Sequence, residues 1–226
     1  MNTDNAKRRI TLWMVLAFLT SLGAVAVALS LPAQLRTRPD AGLAPAGYQV
    51  GEAVANFRLK NVNGSMVSLS DYSSKKGVMV VFTCNHCPFA KAYEDRIIAL
   101  HAKFASQGYP VLAVNPSDPT DYEDDTFEKM KERASSKGYP YPYLADDAQT
   151  VAQAFGATRT PHVFVLKNSG GRFVVQYIGT IDDNPQDPAG VTKRYVDDAV
   201  TNLLANKPVV TTTTKAIGCA IKWKDI

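Results

Sequence analysis

Gly77-Val78-Met79-Val80-Val81-Phe82-Thr83-Cys84-Asn85-His86-Cys87-Pro88-Phe89 is the stretch from which the fold can be read. Its first six residues are a continuous apolar run rich in valine, the pattern of a central strand buried on both faces. A C-x-x-C pair follows. From Pro88 to about Ser106, apolar side chains recur at Phe89, Tyr93, Ile97, Leu100 and Phe104, three or four apart, as on one face of an amphipathic helix. Cys84 thus stands where a buried strand gives way to a helix.

Working outward, short strands in Ala53–Leu59 and Met66–Leu69 flank Asn63-Gly64, a strong hairpin signal. Downstream, Pro110–Val114 reads as a strand, Thr126–Ala134 as a helix and Thr150–Phe155 as a short helix. Pro161–Leu166 turns through Ser169-Gly170-Gly171 into Phe173–Ile178 as an antiparallel hairpin, and Val191–Ala205 closes the domain as a helix. The expected class is α/β, a mixed central sheet with helices on both faces. The domain is placed at 48–207, with an N-terminal β-hairpin extension and a C-terminal tail at 208–226.

The chain carries 25 basic and 21 acidic residues, but residues 1–46 hold five of the basic ones against two acidic, which leaves 20 and 19 in the rest. A near-neutral domain has no electrostatic footprint for nucleic acid. The front end reads as a basic cytoplasmic n-region at 1–10 (Lys7, Arg8, Arg9), an apolar run Thr11–Leu31 long enough to span a bilayer, and a Pro/Ala/Gly-rich linker at 32–47. With the positive charges inside, residues 11–31 anchor a single-pass protein in the cell membrane with its domain on the extracytoplasmic side. A cleaved signal peptide, leaving the domain secreted or periplasmic, is the alternative.

A thiol where a helix begins faces unpaired N–H groups and the positive end of the macrodipole, which favour thiolate and make Cys84 the expected nucleophile. Cys87, one turn on, is placed to close a disulfide with it. Pro88 is tolerated because first-turn N–H groups have no intrahelical partner.

With Thr83-Cys84-Asn85-His86-Cys87-Pro88-Phe89 after a buried strand, and Gly156-Ala157-Thr158-Arg159-Thr160-Pro161 before another, roughly Gly47 to Lys207 resembles the thioredoxin superfamily. It is most similar to the exported thioredoxin-like and redoxin (AhpC/TSA, peroxiredoxin-like) proteins. The resemblance implies a thioredoxin-like fold with Pro161 cis beside Cys84 and the Thr160 backbone pairing an extended substrate segment. His86 occupies a place where strongly oxidising members also carry histidine; a cationic imidazole there would favour the reduced form. Thr83 stands where thioredoxins usually have Trp.

Zinc would need two more ligands, and Cys219, His101 and His162 offer no second paired spacing, so no metal is expected. His101 reads as a helix-packing or surface residue and His162 as a core residue. Cys219 reads either as a buried small side chain or as a third redox thiol. The acidic stretch Asp118–Glu128 lacks the glycine and spacing of a calcium loop and reads as a solvated loop with carboxylates at a helix N-terminus.

The expected activity is a thiol–disulfide oxidoreductase acting on exported protein thiols, with Cys84 attacking and Cys87 resolving. A thiol peroxidase with antioxidant activity is the first alternative, although Gly77 and Val81 stand where the P-x-x-x-T-x-x-C pattern of peroxiredoxins has Pro and Thr. A copper metallochaperone using Cys84, Cys87 and His162 is the second, although two residues rather than the usual three separate its cysteines. No nucleotide or flavin motif is present, so no cofactor is expected and redox equivalents would come from a partner protein.

Overall fold

Asn63-Gly64 does make its turn. Arg58–Asn61 (β1) and Met66–Ser68 (β2) pair antiparallel across it, with Gly64 at φ +87° and the Asn63 side chain accepting from the Ser65 N–H. Gly77–Phe82 (β3) is buried at every residue, and Pro88–Phe104 (α1) returns the chain to Val111–Asn115 (β4), parallel to β3. Phe127–Lys137 (α2), Tyr143–Ala145 (β5) and Thr150–Phe155 (α3) follow. Next come Arg159–Thr160 (β6), His162–Ser169 (β7), Arg172–Gly179 (β8), Tyr195–Leu204 (α4) and Cys219–Ala220 (β9). This computed structural model describes residues 47–224. The basic segment 1–10, the expected membrane span 11–31 and all of the linker 32–47 except Gly47 lie outside the described residues. Among the described residues no helix is long and apolar enough to cross a membrane.

The strand order is β2-β1-β5-β4-β3-β7-β8, with β3, β4 and β5 parallel and the outer pairs antiparallel, so the sheet is mixed as expected. Successive side chains of β3 point to opposite faces. Met79 and Val81 pack with Tyr93, Ile97 and Phe104 of α1 and with Val196 and Val200 of α4. On the other face Val78, Val80 and Phe82 pack with Val151, Ala152 and Phe155 of α3. Phe155 is the hub there, its ring 5.0–6.0 Å from those of Tyr48, Phe57, Phe82 and Phe164. The β7–β8 turn uses Gly170 and Gly171, both at positive φ, as a two-residue loop that matches strand twist.

Two features depart from the sequence reading. Strand β5, three residues long and directly following Pro140-Tyr141-Pro142, carries no periodic pattern yet joins β1 to β4. Residues 208–224, expected as a tail, run along the domain. Thr213 bridges Ile178, the Ile221 N–H donates to the Thr158 carbonyl, and the Gln149 amide donates to the Lys222 carbonyl.

Candidate active site

The β3 ladder runs on as far as Thr83, whose N–H donates to Val114 O, and the chain then leaves the sheet at the carboxyl ends of the parallel strands. Pro88 is the first residue of α1 and Cys87, not Cys84, is its N-cap. This differs in detail from the expectation: the nearest amide of the turn, Asn85 N–H, is taken by Asp125 rather than left for the sulfur. Electrostatic support for Cys84 comes instead from a side chain. His86 Nε2 lies 4.0 Å from Cys84 Sγ, and His86 Nδ1 is hydrogen-bonded to Asp125 Oδ2. The imidazole stacks flat on Tyr122, 3.7 Å between ring centres.

Asp125 is almost wholly enclosed, and each of its oxygens is used. Oδ1 accepts from the Asn85 N–H at 2.6 Å and from the Asn115 amide at 2.8 Å, while Oδ2 holds His86. The network closes through Tyr143, whose hydroxyl donates to Asn85 Oδ1 at 2.9 Å and accepts from the Asn115 amide at 3.1 Å. Desolvation works against a charged His86. The Asp125 hydrogen bond, the Cys84 contact and the two nearby negative groups outweigh it, and the pKa is pushed up to about 9. At neutral pH the ring is therefore a cation beside the sulfur, the counter-ion a thiolate needs.

On the opposite side, the Thr160–Pro161 peptide is cis, as the resemblance implies, and Thr160 Oγ1 is 3.0 Å from Cys84 Sγ. Cys84 is the free cysteine, 3 % exposed. Cys87 is bonded to Cys219, across a Cα–Cα distance of 6.0 Å, rather than to Cys84. The expected Cys84–Cys87 couple is thus not the pairing in this structure, and Cys219 is neither a lone buried side chain nor a bystander. Cys87 Sγ rests 3.3 Å from the Thr160 carbonyl oxygen; as half of a disulfide it has no proton to donate.

His162 does not join the sulfurs. Its Nδ1 accepts from the Thr158 N–H at 3.3 Å, and its ring packs on Phe164. The copper set Cys84, Cys87 and His162 is therefore not assembled, since Cys87 is spent on Cys219 and His162 on the backbone. Among the described residues, the group able to offer a metal one ligand atom each is Cys84, His86 and Asp125, whose atoms lie within 4.8 Å of one another. His101 is a helix-packing residue whose Nδ1 accepts from the Val111 N–H.

Burial lowers the His162 pKa to about 4. Between pH 6.5 and about 4 the unfolded chain takes up a proton that the folded ring refuses. This contribution to stability is complete above pH 6.5 and falls as the pH drops, by about 3 kcal/mol in all. Urea midpoints followed from pH 7 down to pH 4 should show this slope in wild type and lack that part of it in His162→Phe.

The sequence reading missed Asp125, Tyr122, Asn85, Asn115 and Tyr143. Asp125 ends the acidic run Glu123-Asp124-Asp125 just before Thr126, which caps α2, so it looks like one more helix-terminal carboxylate. Nothing local separates it from its solvated neighbour Asp124.

Residues 50–183 match the AhpC/TSA family. The chain is 25% identical over 176 residues to "Peroxiredoxin Q, chloroplastic" of Triticum aestivum, covering 74% of this chain and 75% of that one. It is 29% identical over 124 residues to the "Thiol-disulfide oxidoreductase ResA" of Geobacillus thermodenitrificans, covering 54% of this chain and 65% of that one, just under two thirds of its length. Among solved structures, a hypothetical protein from Sinorhizobium meliloti superimposes with a TM-score of 0.73 at 31% identity, over 80% of this chain and 97% of that one.

Proposed function

The chain belongs to the AhpC/TSA family, and from that premise we propose that it is a thiol–disulfide oxidoreductase working on protein thiols outside the cytoplasmic membrane, held there by residues 11–31. The observation that carries this reading is the setting of Cys84, whose sulfur lies between a cationic His86 at 4.0 Å and the Thr160 hydroxyl at 3.0 Å, with Cys87 one helical turn on.

In the oxidising direction, a substrate thiolate attacks Cys84 of a Cys84–Cys87 disulfide and Cys87 leaves with the electron pair. A second substrate thiolate then attacks the sulfur of the substrate cysteine joined to Cys84. The substrate disulfide forms, and Cys84 leaves as a thiolate beside His86. The substrate has lost two electrons and the enzyme has gained them. A charged His86 stabilises the leaving thiolate and with it the reduced enzyme, so the couple donates its disulfide readily.

Peroxide chemistry is the competing reading and uses the same nucleophile. Disulfide exchange is preferred because the places of the peroxiredoxin Pro and Thr are taken by Gly77 and Val81, both in β3. Val81 is enclosed in the core with no polar atom to offer a peroxide.

Oxidised full-length chain in detergent, mixed with a reduced dithiol protein, should oxidise it, whereas hydrogen peroxide should be consumed at the background rate. In the reducing direction, reduced Cys87→Ser mixed with a disulfide-bonded protein should accumulate a mixed disulfide on Cys84, visible as a mass increase that dithiothreitol removes, because Cys84 opens the substrate disulfide and the sulfur that would release the substrate is gone. Peroxide turnover with no mixed disulfide would replace this reading with the peroxidase one. External protease added to cells whose cytoplasmic membrane alone is intact should digest the domain, and protection that lasts until that membrane is lysed would overturn the extracytoplasmic placement.

A further inference from the structure

Three sulfurs converge on one threonine. The Thr160 hydroxyl contacts Cys84 Sγ, its carbonyl oxygen contacts Cys87 Sγ, and its backbone is the antiparallel register partner of Cys219. The three cysteines pack in one small apolar cluster with Phe89 and Ala90. The chain is built to bring β9 there from 132 residues away. A Cβ at Gly218 would fall on the Thr160 carbonyl, so only glycine permits this approach, and Arg159 Nη1 donates to the Gly218 carbonyl at 2.8 Å.

In this pairing Cys87 cannot resolve a mixed disulfide on Cys84. Cys84, enclosed from solvent, has the internal Cys87–Cys219 bond beside it as the electrophile. Resting on the oxidoreductase reading above, we propose that Cys219 is a third redox thiol, and that one disulfide migrates between Cys87–Cys219 and Cys84–Cys87 by attack of Cys84 on Cys87 Sγ.

The step balances within the chain. The Cys84–Cys87 bond forms, the Cys87–Cys219 bond breaks with its electron pair passing to Cys219 Sγ, and Cys219 takes up the proton that Cys84 gave up. One disulfide and one thiol stand on each side, so no oxidant or reductant is required. The attacking sulfur has His86 as its counter-ion and Thr160 as its hydrogen-bond partner. Of the three cysteines Cys219 is the least enclosed. Its release removes the covalent tie of β9 and leaves the two-residue ladder to β6 with the Arg159, Ile221 and Lys222 hydrogen bonds, all of which an extended segment of a partner could displace to pair with the Thr160 backbone edge.

The test is disulfide mapping of oxidised full-length chain in detergent, with no reductant or partner, alkylated with N-ethylmaleimide over a time course and digested. Wild type should carry a single label per molecule, on Cys84 in some molecules and on Cys219 in others, with both disulfide-linked peptides present. Cys84→Ser, and Cys84→Ala as a second variant, should hold only Cys87–Cys219 and lose all label on Cys219. Cys219→Ser should hold only Cys84–Cys87. Label confined to one cysteine throughout the time course in wild type, or label on Cys219 in both Cys84 variants, would overturn the proposal. External exchange is assayed in parallel on Cys219→Ser. Exchange there without migration in wild type defeats this inference alone, and migration without external exchange defeats the functional reading alone.

Discussion

Cys84→Ser should abolish disulfide exchange with external thiols, lowering its rate by at least about a thousandfold, the scale on which loss of a covalent nucleophile falls. Serine keeps the size and the hydrogen-bonding capacity that Thr160 meets, so stability should change by no more than about 1 kcal/mol. Stopped exchange with an unchanged urea midpoint separates a chemical role from a structural one. Exchange that survives in Cys84→Ser would move the nucleophile to Cys87 or Cys219 and remove the basis of the proposed function.

Asp125→Ala should be the most damaging single change in the network around the sulfur. It strips the acceptor from the Asn85 N–H, from the Asn115 amide and from a charged His86 at once, where the carboxylate is fully enclosed. Leaving such groups unpaired costs about 4 kcal/mol. Asp125→Asn is milder and reports on function: it keeps a carbonyl for the Asn85 N–H while removing the charge that holds His86 protonated.

The sign of the pH effect follows from the raised pKa. Stability from the His86–Asp125 pair is complete below pH 6.5 and is lost as the pH rises through about 9. In Asp125→Asn that alkaline slope should flatten, and the His86 ring resonances should titrate nearer 6.5. Exchange at neutral pH should slow roughly fourfold, since a ring titrating near 6.5 is cationic in only about a quarter of molecules at pH 7. An unchanged His86 titration would show that Asp125 only fills space.

How far the sequence alone reaches can be judged at particular residues. β3, α1 and the position of Cys84 between them were legible because each is written locally, in a valine-rich run, a three-or-four spacing and a C-x-x-C pair. The Gly64 and Gly170-Gly171 turns were legible for the same reason. The cis peptide at Pro161 was implied by the resemblance.

Asp125 and Tyr143 were not legible, since a buried carboxylate or phenol has the same one-letter neighbourhood as an exposed one until β4, β5 and the 123–125 turn are brought together. The partner of Cys219 was not legible either: three cysteines permit three pairings, and nothing in the spacing of Cys87 and Cys219 selects one. Strands β5, β6 and β9, two or three residues long, are below the length at which alternation can be seen. What tertiary structure adds is therefore the electrostatic partner of the nucleophile and the third sulfur, which together turn a C-x-x-C motif into a particular site.

The most direct test is the equilibrium reduction potential of the Cys84–Cys87 couple, measured in full-length Cys219→Ser by equilibration with glutathione buffers and thiol trapping. Because a cationic His86 stabilises the reduced form, the expected result is a reversible two-electron couple clearly less negative than about −270 mV, the value of thioredoxin. A potential at or below that value, or no reversible couple at all, would contradict it.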